Sequence, residues 1–445
     1  MAGITHAFVS AVGDGADATL VRPSNWNASH VIEQVITDNA PLTVDDASAA
    51  DGDLCFFSAN GIEGVAVTGA TLPAANTMVG YFIHSPTGRS ILYFSNGTSW
   101  YPVMSLGAMT VYVDATDGTD DANHGTAVDG DAFATVQYAV NTIPGLVGGN
   151  VTININGETY AEDVTITGKS FTGTYTITLQ GTLTAHATNA QTASAQGATT
   201  NFGTISDTTN DPFAGHANDL LYSSNNAEYR VIDSVTTEVA TIVEYWAAAP
   251  SGNYTIYQWL TTIQSITLGK NQVGIRAYDC YFTGAGVPVA ANEGSFSQWF
   301  RCKFYTSAQW ASFSCSKGTV ELYDCYATSA GYCVMGFTSG TTAILVRCKV
   351  LATGASSFGI LILSASYVSL NEACVVDGTA ASSNTGMEHE GAGLSNHQLV
   401  YSKIRNWTNG IGSIQGSTVF FTGNNQYASN TANETAVAAS YSYID

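Results

Sequence analysis

Between residues 268 and 430 one short motif recurs at a nearly constant interval. Tyr278-Asp-Cys-Tyr-Phe282, Phe300-Arg-Cys-Lys-Phe304, Tyr323-Asp-Cys-Tyr-Ala327 and Val346-Arg-Cys-Lys-Val350 share one frame. The frame continues at Cys374 and, with serine in place of cysteine, in Val400-Tyr-Ser-Lys-Ile404. Cys280, Cys302, Cys325, Cys348, Cys374 and Ser402 lie 22, 23, 23, 26 and 28 residues apart. One strand-like segment per period of this length means a solenoid, in which each repeat buries its apolar face only by stacking on its neighbours. A leucine-rich horseshoe has a similar period, but the Leu-x-x-Leu-x-Leu frame is missing. Aromatic, Val and small side chains in the strands predict an all-β fold, a parallel β-helix.

Side chains alternate sides along a strand, so the frame predicts faces. Tyr278, Cys280 and Phe282 should point inward, as should Phe300, Cys302 and Phe304. Asp279, Arg301, Asp324 and Arg347 should point outward, stacked coil on coil at ~4.8 Å with alternating charge. Tyr281, Lys303, Tyr326 and Lys349 should form the next ladder. Unlike charges on adjacent strands stabilise the pairing. Stacked cysteines carry parallel Cβ vectors, so the ladder predicts small buried side chains and no disulfides. No CxxC pair or nearby His points to zinc.

Composition agrees. Charged residues make up 11% of the 445, against the ~25% typical of globular domains. Gly (44), Tyr (23) and Phe (18) are plentiful. A net charge of −22 with only 13 Lys and Arg argues against a nucleic-acid partner, whose phosphates need clustered cations. No apolar run approaches the ~20 residues of a membrane-spanning helix. Met1–Ser10 lacks the features of a signal peptide, so synthesis in a cytoplasm with reduced cysteines is expected.

The texture divides the chain. Residues 1–34 are polar and Gly-broken, too short for a core. Residues 35–106 read as a small β-domain, with Asn96-Gly97 as a hairpin turn between Tyr93-Phe94 and Trp100-Tyr101. Residues 107–430 read as the β-helix, interrupted at about 201–260 by an inserted β-meander, and residues 431–445 as a tail. Residues 131–140 read as a short helix with Asp131 as its N-cap.

Candidate sites are few. Asp114, Asp117, Asp120 and Asp121 sit in a Gly-containing turn that would suit calcium, although the spacing is not that of an EF-hand and turn formation explains it as well. Glu388, His389, Glu390 and His397 are the densest titratable set in the solenoid, placed by their spacing in a loop, where carboxylates beside an imidazole would suit acid–base chemistry on a glycan. Asp207, Asp211, His216, Asp219 and Glu228 form a second such set in the insertion. Trp246, Trp259, Trp299, Tyr305 and Trp310 are expected at turns or outward positions, where flat rings stack on pyranoses.

Two stretches carry a family resemblance. Ile4-Thr-His-Ala-Phe-Val-Ser10 with Asp14 to His30, above all Val21-Arg-Pro-Ser-Asn-Trp-Asn27, resembles the opening of phage tail-fibre, tailspike and virion spike proteins. Val111-Tyr-Val-Asp through Gly118, Asp121, Gly125, Phe133-Ala-Thr-Val-Gln137 and Ala139 is similar to the N-terminal cap of pectate-lyase-like β-helices. The resemblance implies a right-handed parallel β-helix over residues 109–430 behind a virion-attachment segment. That segment offers Leu20, Arg22, Pro23, Trp26, Asn27 and His30 to another virion protein, and Trp and Arg are the residue types most enriched at interface hot spots. It also implies a homotrimer on the virion surface, assembled in the host cytoplasm, that binds a host-cell polysaccharide. A depolymerase, hydrolase or lyase, is the alternative, although no diagnostic catalytic motif of either is present. A secreted pectin-lyase-like enzyme is a third reading, disfavoured by the virion-type start. No cofactor is implied beyond the calcium noted above.

Overall fold

Three parallel sheets, each a stack of short strands one coil apart, build the chain from Met109 onward. The computed structural model describes residues 55–58, 61–64, 67–77, 79–189, 202–207, 213–224, 226–236, 238–243, 254–307, 310–354, 358–378, 385–390, 396–400, 402–414, 418–422, 426–428, 430, 432–437 and 441–444. All of them belong to one compact unit, Gly52–Asp445. The first sheet has eleven strands, from Met109–Val113 and Val151–Ile155 through Ile275–Tyr278, Phe296–Phe300, Thr319–Tyr323 and Thr342–Val346 to Tyr441–Ile444. The second holds Tyr281–Gly284, Lys303–Thr306, Tyr326–Ser329, Lys349–Ala352 and Val375–Gly378. The third holds Val289–Ala291, Phe313–Ser316, Cys333–Thr338, Phe358–Leu363, Thr385–Glu390 and Asn409–Ile414. Thr262–Leu268 joins the last two, its first half pairing with Tyr281–Gly284 and its second with Val289–Ala291. The predicted parallel β-helix is present, and it extends past residue 430. Ala432–Val437 and Tyr441–Ile444 pair as further strands of the stack where a tail was expected.

The cysteine ladder lies inside. Cys280, Cys302, Cys325, Cys348 and Cys374 are fully buried, and Ser402 nearly so. All seven described cysteines are free. Burial pushes the Cys280, Cys325 and Cys374 thiols well above their usual range.

The simple alternation fails at one place. Asp279, Arg301, Asp324 and Arg347 have φ of 60°, 52°, 52° and 53°, a left-handed conformation that costs a non-glycine residue on the order of 1–3 kcal/mol. Each marks a corner between the first and second sheets, and the corner resets the alternation. Tyr278, Phe300 and Tyr323 therefore face outward and stack face to face at 4.5 and 4.9 Å, correcting the inward assignment of Tyr278 and Phe300. Phe282 and Phe304 point inward, as expected. The corner charges interlock as forks that offset the strain. Arg301 donates to both oxygens of Asp279 at 2.7 and 2.9 Å, and Arg347 to those of Asp324 at 2.9 and 3.0 Å; such bidentate pairs are the stronger kind.

Glycines make room where the core holds its largest ring. Trp407 is 2% exposed and donates from Nε1 to the Val376 carbonyl at 3.1 Å. A Cβ added at Gly359, Gly378 or Gly386 would lie 3.0, 3.0 or 3.1 Å from that indole.

The core is closed at its N-terminal end by the helix Val136–Thr142, which buries Val136, Ala139 and Val140. Its N-cap is Thr135, which accepts from the Tyr138 amide, and not the predicted Asp131. Asp120 supports the turn, accepting from the amides of Ala134 and Thr135. Glu162 accepts from the free amides of Val136 and Gln137.

The stretch expected to be a separate domain before residue 106 merges with the solenoid. Val79–His84, Ile91–Asn96 and Trp100–Ser105 form the antiparallel sheet, with the predicted Asn96-Gly97 turn. That sheet continues onto Leu146–Val147, and Ile91 and Tyr93 join the solenoid core. The meander begins earlier than expected, at Leu183–Asn189, and runs to Tyr254–Trp259. It has a core of its own around Phe213, Ile232 and Tyr254. Leu220, Val231 and Trp259 pack against Tyr326, Leu351 and Val375 on the outside of the second sheet. The predicted ladder of Lys303, Tyr326 and Lys349 lies there. Lys303 sits over the rings of Trp259, Tyr281 and Tyr326.

Candidate functional site

On the third sheet the inward column runs Phe313, Met335, Ile360, Met387 and Ile411. The outward column is Ser314, Gly336, Leu361, Glu388 and Gly412. Beside it, Trp310 and Tyr332 sit one coil apart, with Phe358 on the next coil in register with Cys333. Trp310 and Tyr332 are 38% and 40% exposed. Their rings stack at 5.3 Å and 8°. Phe358 packs edge-on to Tyr332 at 5.2 Å. The backbone fixes this row, because the Cys333 amide donates to the Trp310 carbonyl and the Phe358 amide to that of Tyr332, both at 2.8 Å. Buried Ala311, Cys333 and Leu361 form the floor.

Gly336 leaves the face beside Trp310 clear, whereas Gly412 is covered. A Cβ at Gly336 would lie 3.8 Å from the Trp310 Nε1. At Gly412 it would strike the Glu388 carboxylate, which lies across that position. Glu388 and Glu390, two apart on one strand, share the outward side. Burial raises the Glu388 carboxyl above its usual range, and Glu390 adds to the effect. The Tyr332 phenol is raised by burial first, and Glu390, Cys333 and Glu388 add to the effect.

Several expected site residues lie elsewhere. The Glu388-His389-Glu390 set is not in a loop but in the strand Thr385–Glu390. Alternation turns His389 into the core in register with Ile362, where burial lowers its pKa to about 4. The carboxylates and the imidazole therefore do not converge. Trp299 is fully buried, edge-on to Phe282, Phe304 and Phe313, because the corner at Arg301 sets it on the inner side of its strand. Trp259 is 9% exposed beneath the meander, its Nε1 donating to the Arg301 carbonyl at 2.5 Å. Tyr305 is half-buried on the outside of the second sheet. In the meander, Asp207 accepts from the Tyr254 hydroxyl, His216 pairs with Asp219 and Glu228 with Arg230. Trp246, Asp211, the His397 side chain and the attachment residues Leu20, Arg22, Pro23, Trp26, Asn27 and His30 lie outside the described residues.

Of the candidate calcium ligands, Asp114 and Asp117 come together, with Asp129 as the third carboxylate. Asp120 is turned away to the helix. Asp114 is already engaged by the amides of Thr116 and Asp117 and by Asn156.

Tyr332 and Phe358 were not singled out from the sequence, yet the signal was there. Trp310, Tyr332 and Phe358 are 22 and 26 residues apart, the interval of the cysteine ladder.

Fold and face together define a parallel β-helix with a meander packed on one side and an exposed aromatic row on another. No protein-family model matches the sequence, and no curated protein matches it. Among solved structures the chain is similar to the tailspike protein gp49 of Pseudomonas phage LKA1, at 9% identity and a TM-score of 0.15 over 77% of this chain and 71% of that one. It is also similar to the Gp54 tailspike of Acinetobacter baumannii bacteriophage AP22, solved in complex with an A. baumannii capsular saccharide. There the identity is 9% and the TM-score 0.17, over 67% of this chain and 68% of that one. Likenesses this remote carry no argument, and the fold rests on the strand register of the chain itself.

Proposed function

We propose that this chain is a spike or fibre subunit of a tailed bacteriophage or phage-like particle that attaches to a host-surface polysaccharide through the row Trp310, Tyr332 and Phe358. The observation that carries the reading is the row itself. Two mutually stacked, partly exposed rings one coil apart, with a third packed edge-on, present a continuous apolar strip along which a sugar chain can lie. Scattered exposed aromatics are ordinary, but an ordered row over an apolar floor marks a binding surface. The resemblance of residues 4–30 to virion-attachment openings supports the particle assignment and the role of Arg22 and Trp26 as anchors. Homotrimerisation and assembly in a host cytoplasm belong to the same reading.

A glycan array probed with the purified chain, followed by product analysis, tests it. Binding should fall at least tenfold in Trp310→Ala and Tyr332→Ala, as expected for aromatic hot spots, while the fold is kept. Equal binding by both variants would sink the reading. Release of defined oligosaccharides, abolished by Glu388→Gln or Glu390→Gln, would replace it with the depolymerase alternative. A chain starting at Gln34 should fold and bind yet fail to enter particles.

A further inference from the structure

The aromatic face has a one-sided charge. The third-sheet strands read Val-Ala-Ala, Phe-Ser-Cys-Ser, Cys-Val-Met-Gly-Phe-Thr, Phe-Gly-Ile-Leu-Ile-Leu, Thr-Gly-Met-Glu-His-Glu and Asn-Gly-Ile-Gly-Ser-Ile, with no Lys or Arg among them. The cations nearest in sequence are committed elsewhere. Arg301 and Arg347 hold the corner carboxylates, Lys349 and Arg405 hold Asp233, and Lys317 pairs with Glu293. What the face does carry is Glu390, half-buried, and Glu388, only 6% exposed, on the strand two coils beyond that of Tyr332.

Resting on the glycan-binding reading above, we infer that the row takes a polysaccharide whose repeating unit bears no carboxylate, sulfate or phosphate. A neutral or N-acetylated chain lies along the exposed edges of Trp310 and Tyr332 and donates hydroxyl and amide hydrogens to Glu390, with the charge of Glu388 close behind it. Hydrogen bonds to a carboxylate are roughly twice as strong as neutral ones. A uronate in the same place would meet the negative charge of Glu390, reinforced by Glu388, with no Lys or Arg on the described strands of the face. Like charges desolvated against each other cost far more than they do in bulk water, so the charge pattern selects against acidic polymers.

The experiment is a glycan array carrying neutral, N-acetylated, uronate and sulfated oligosaccharides. It is probed with the full chain, with Trp310→Ala as the control that assigns signal to the row. Neutral or N-acetylated probes should give the Trp310-dependent signal. Glu388→Gln/Glu390→Gln should weaken neutral binding and raise the ratio of uronate to neutral binding on the order of 3- to 10-fold. Asp131→Asn/Asp163→Asn removes the same formal charge from exposed positions near the N-terminal end of the solenoid. It should change neither class, which separates the local effect from the chain's net charge of −22. Trp310-dependent binding that is tightest for uronates or sulfated probes would overturn the charge inference and leave the glycan-binding reading standing. No Trp310-dependent signal with any probe would overturn both.

Discussion

Replacing Asp233 with asparagine should detach the meander from the solenoid before it unfolds either. Asp233 lies on the meander strand Glu228–Val235 and is 3% exposed. Arg405 donates to both its oxygens at 2.8 and 2.7 Å, and the Lys349 Nζ lies 3.2 Å away. Burial alone would raise the Asp233 carboxyl, but Lys349 and Arg405 together hold it below its usual range. Breaking a buried pair by removing one partner costs about 3–5 kcal/mol, because the other charge stays buried. Arg405 keeps Asp377 at 2.7 Å, so the lower end, about 3 kcal/mol, is expected. Lys349, itself 3% exposed, is the stranded charge, and Asp233→Asn/Lys349→Met should restore at least half of the loss. Meander and solenoid have separate cores, so the loss falls on the contact between them. Hydrogen exchange should accelerate in Leu220–Ser223 and Glu228–Val235 while the third sheet stays protected. The pH sign follows from the lowered pKa. The contribution is complete above the unfolded value of about 3.9 and is lost as pH falls through the folded value. Asp233→Asn within 1 kcal/mol of the parent in urea denaturation would refute the argument.

Cys325→Arg should abolish soluble expression by burying an unpaired charge in the ladder, whereas Cys325→Ala should fold; equal stability of the two would place Cys325 outside. Trp407→Ala should cost about 3–5 kcal/mol through the cavity it leaves, read as a lowered urea midpoint. His84 and His389 both have pKa values near 4, lowered by burial and, for His84, further by Arg89. The unfolded chain therefore takes up these protons first, so stability should decline as pH falls from about 6.5 toward 4. Thermal melts at pH 7 and pH 5 check this, and the difference should shrink in His389→Gln.

The sequence by itself determined the repeat and much of what the repeat implies. A cysteine every 22 to 26 residues, flanked by apolar side chains, fixed the stacking, the buried ladder and the paired charges of Asp279 with Arg301 and Asp324 with Arg347. Each of these depends only on residues one coil apart, which the period brings together. The Trp310–Tyr332 pair was equally legible in principle, since its interval of 22 is that of the repeat, whereas Phe358 falls one residue out of register with Tyr332. Faces near the corners were not. A positive φ at Arg301 reverses which of Trp299 and Phe300 is buried, and no alternation rule contains that turn. His389 shows the same limit, because reading Glu388-His389-Glu390 as one site required a loop, and a strand splits it between core and surface. The docking of the meander was wholly a tertiary matter. Asp233 meets Lys349 and Arg405 across more than a hundred residues, where no local pattern links them and only the packing of two separate cores brings the charges within reach.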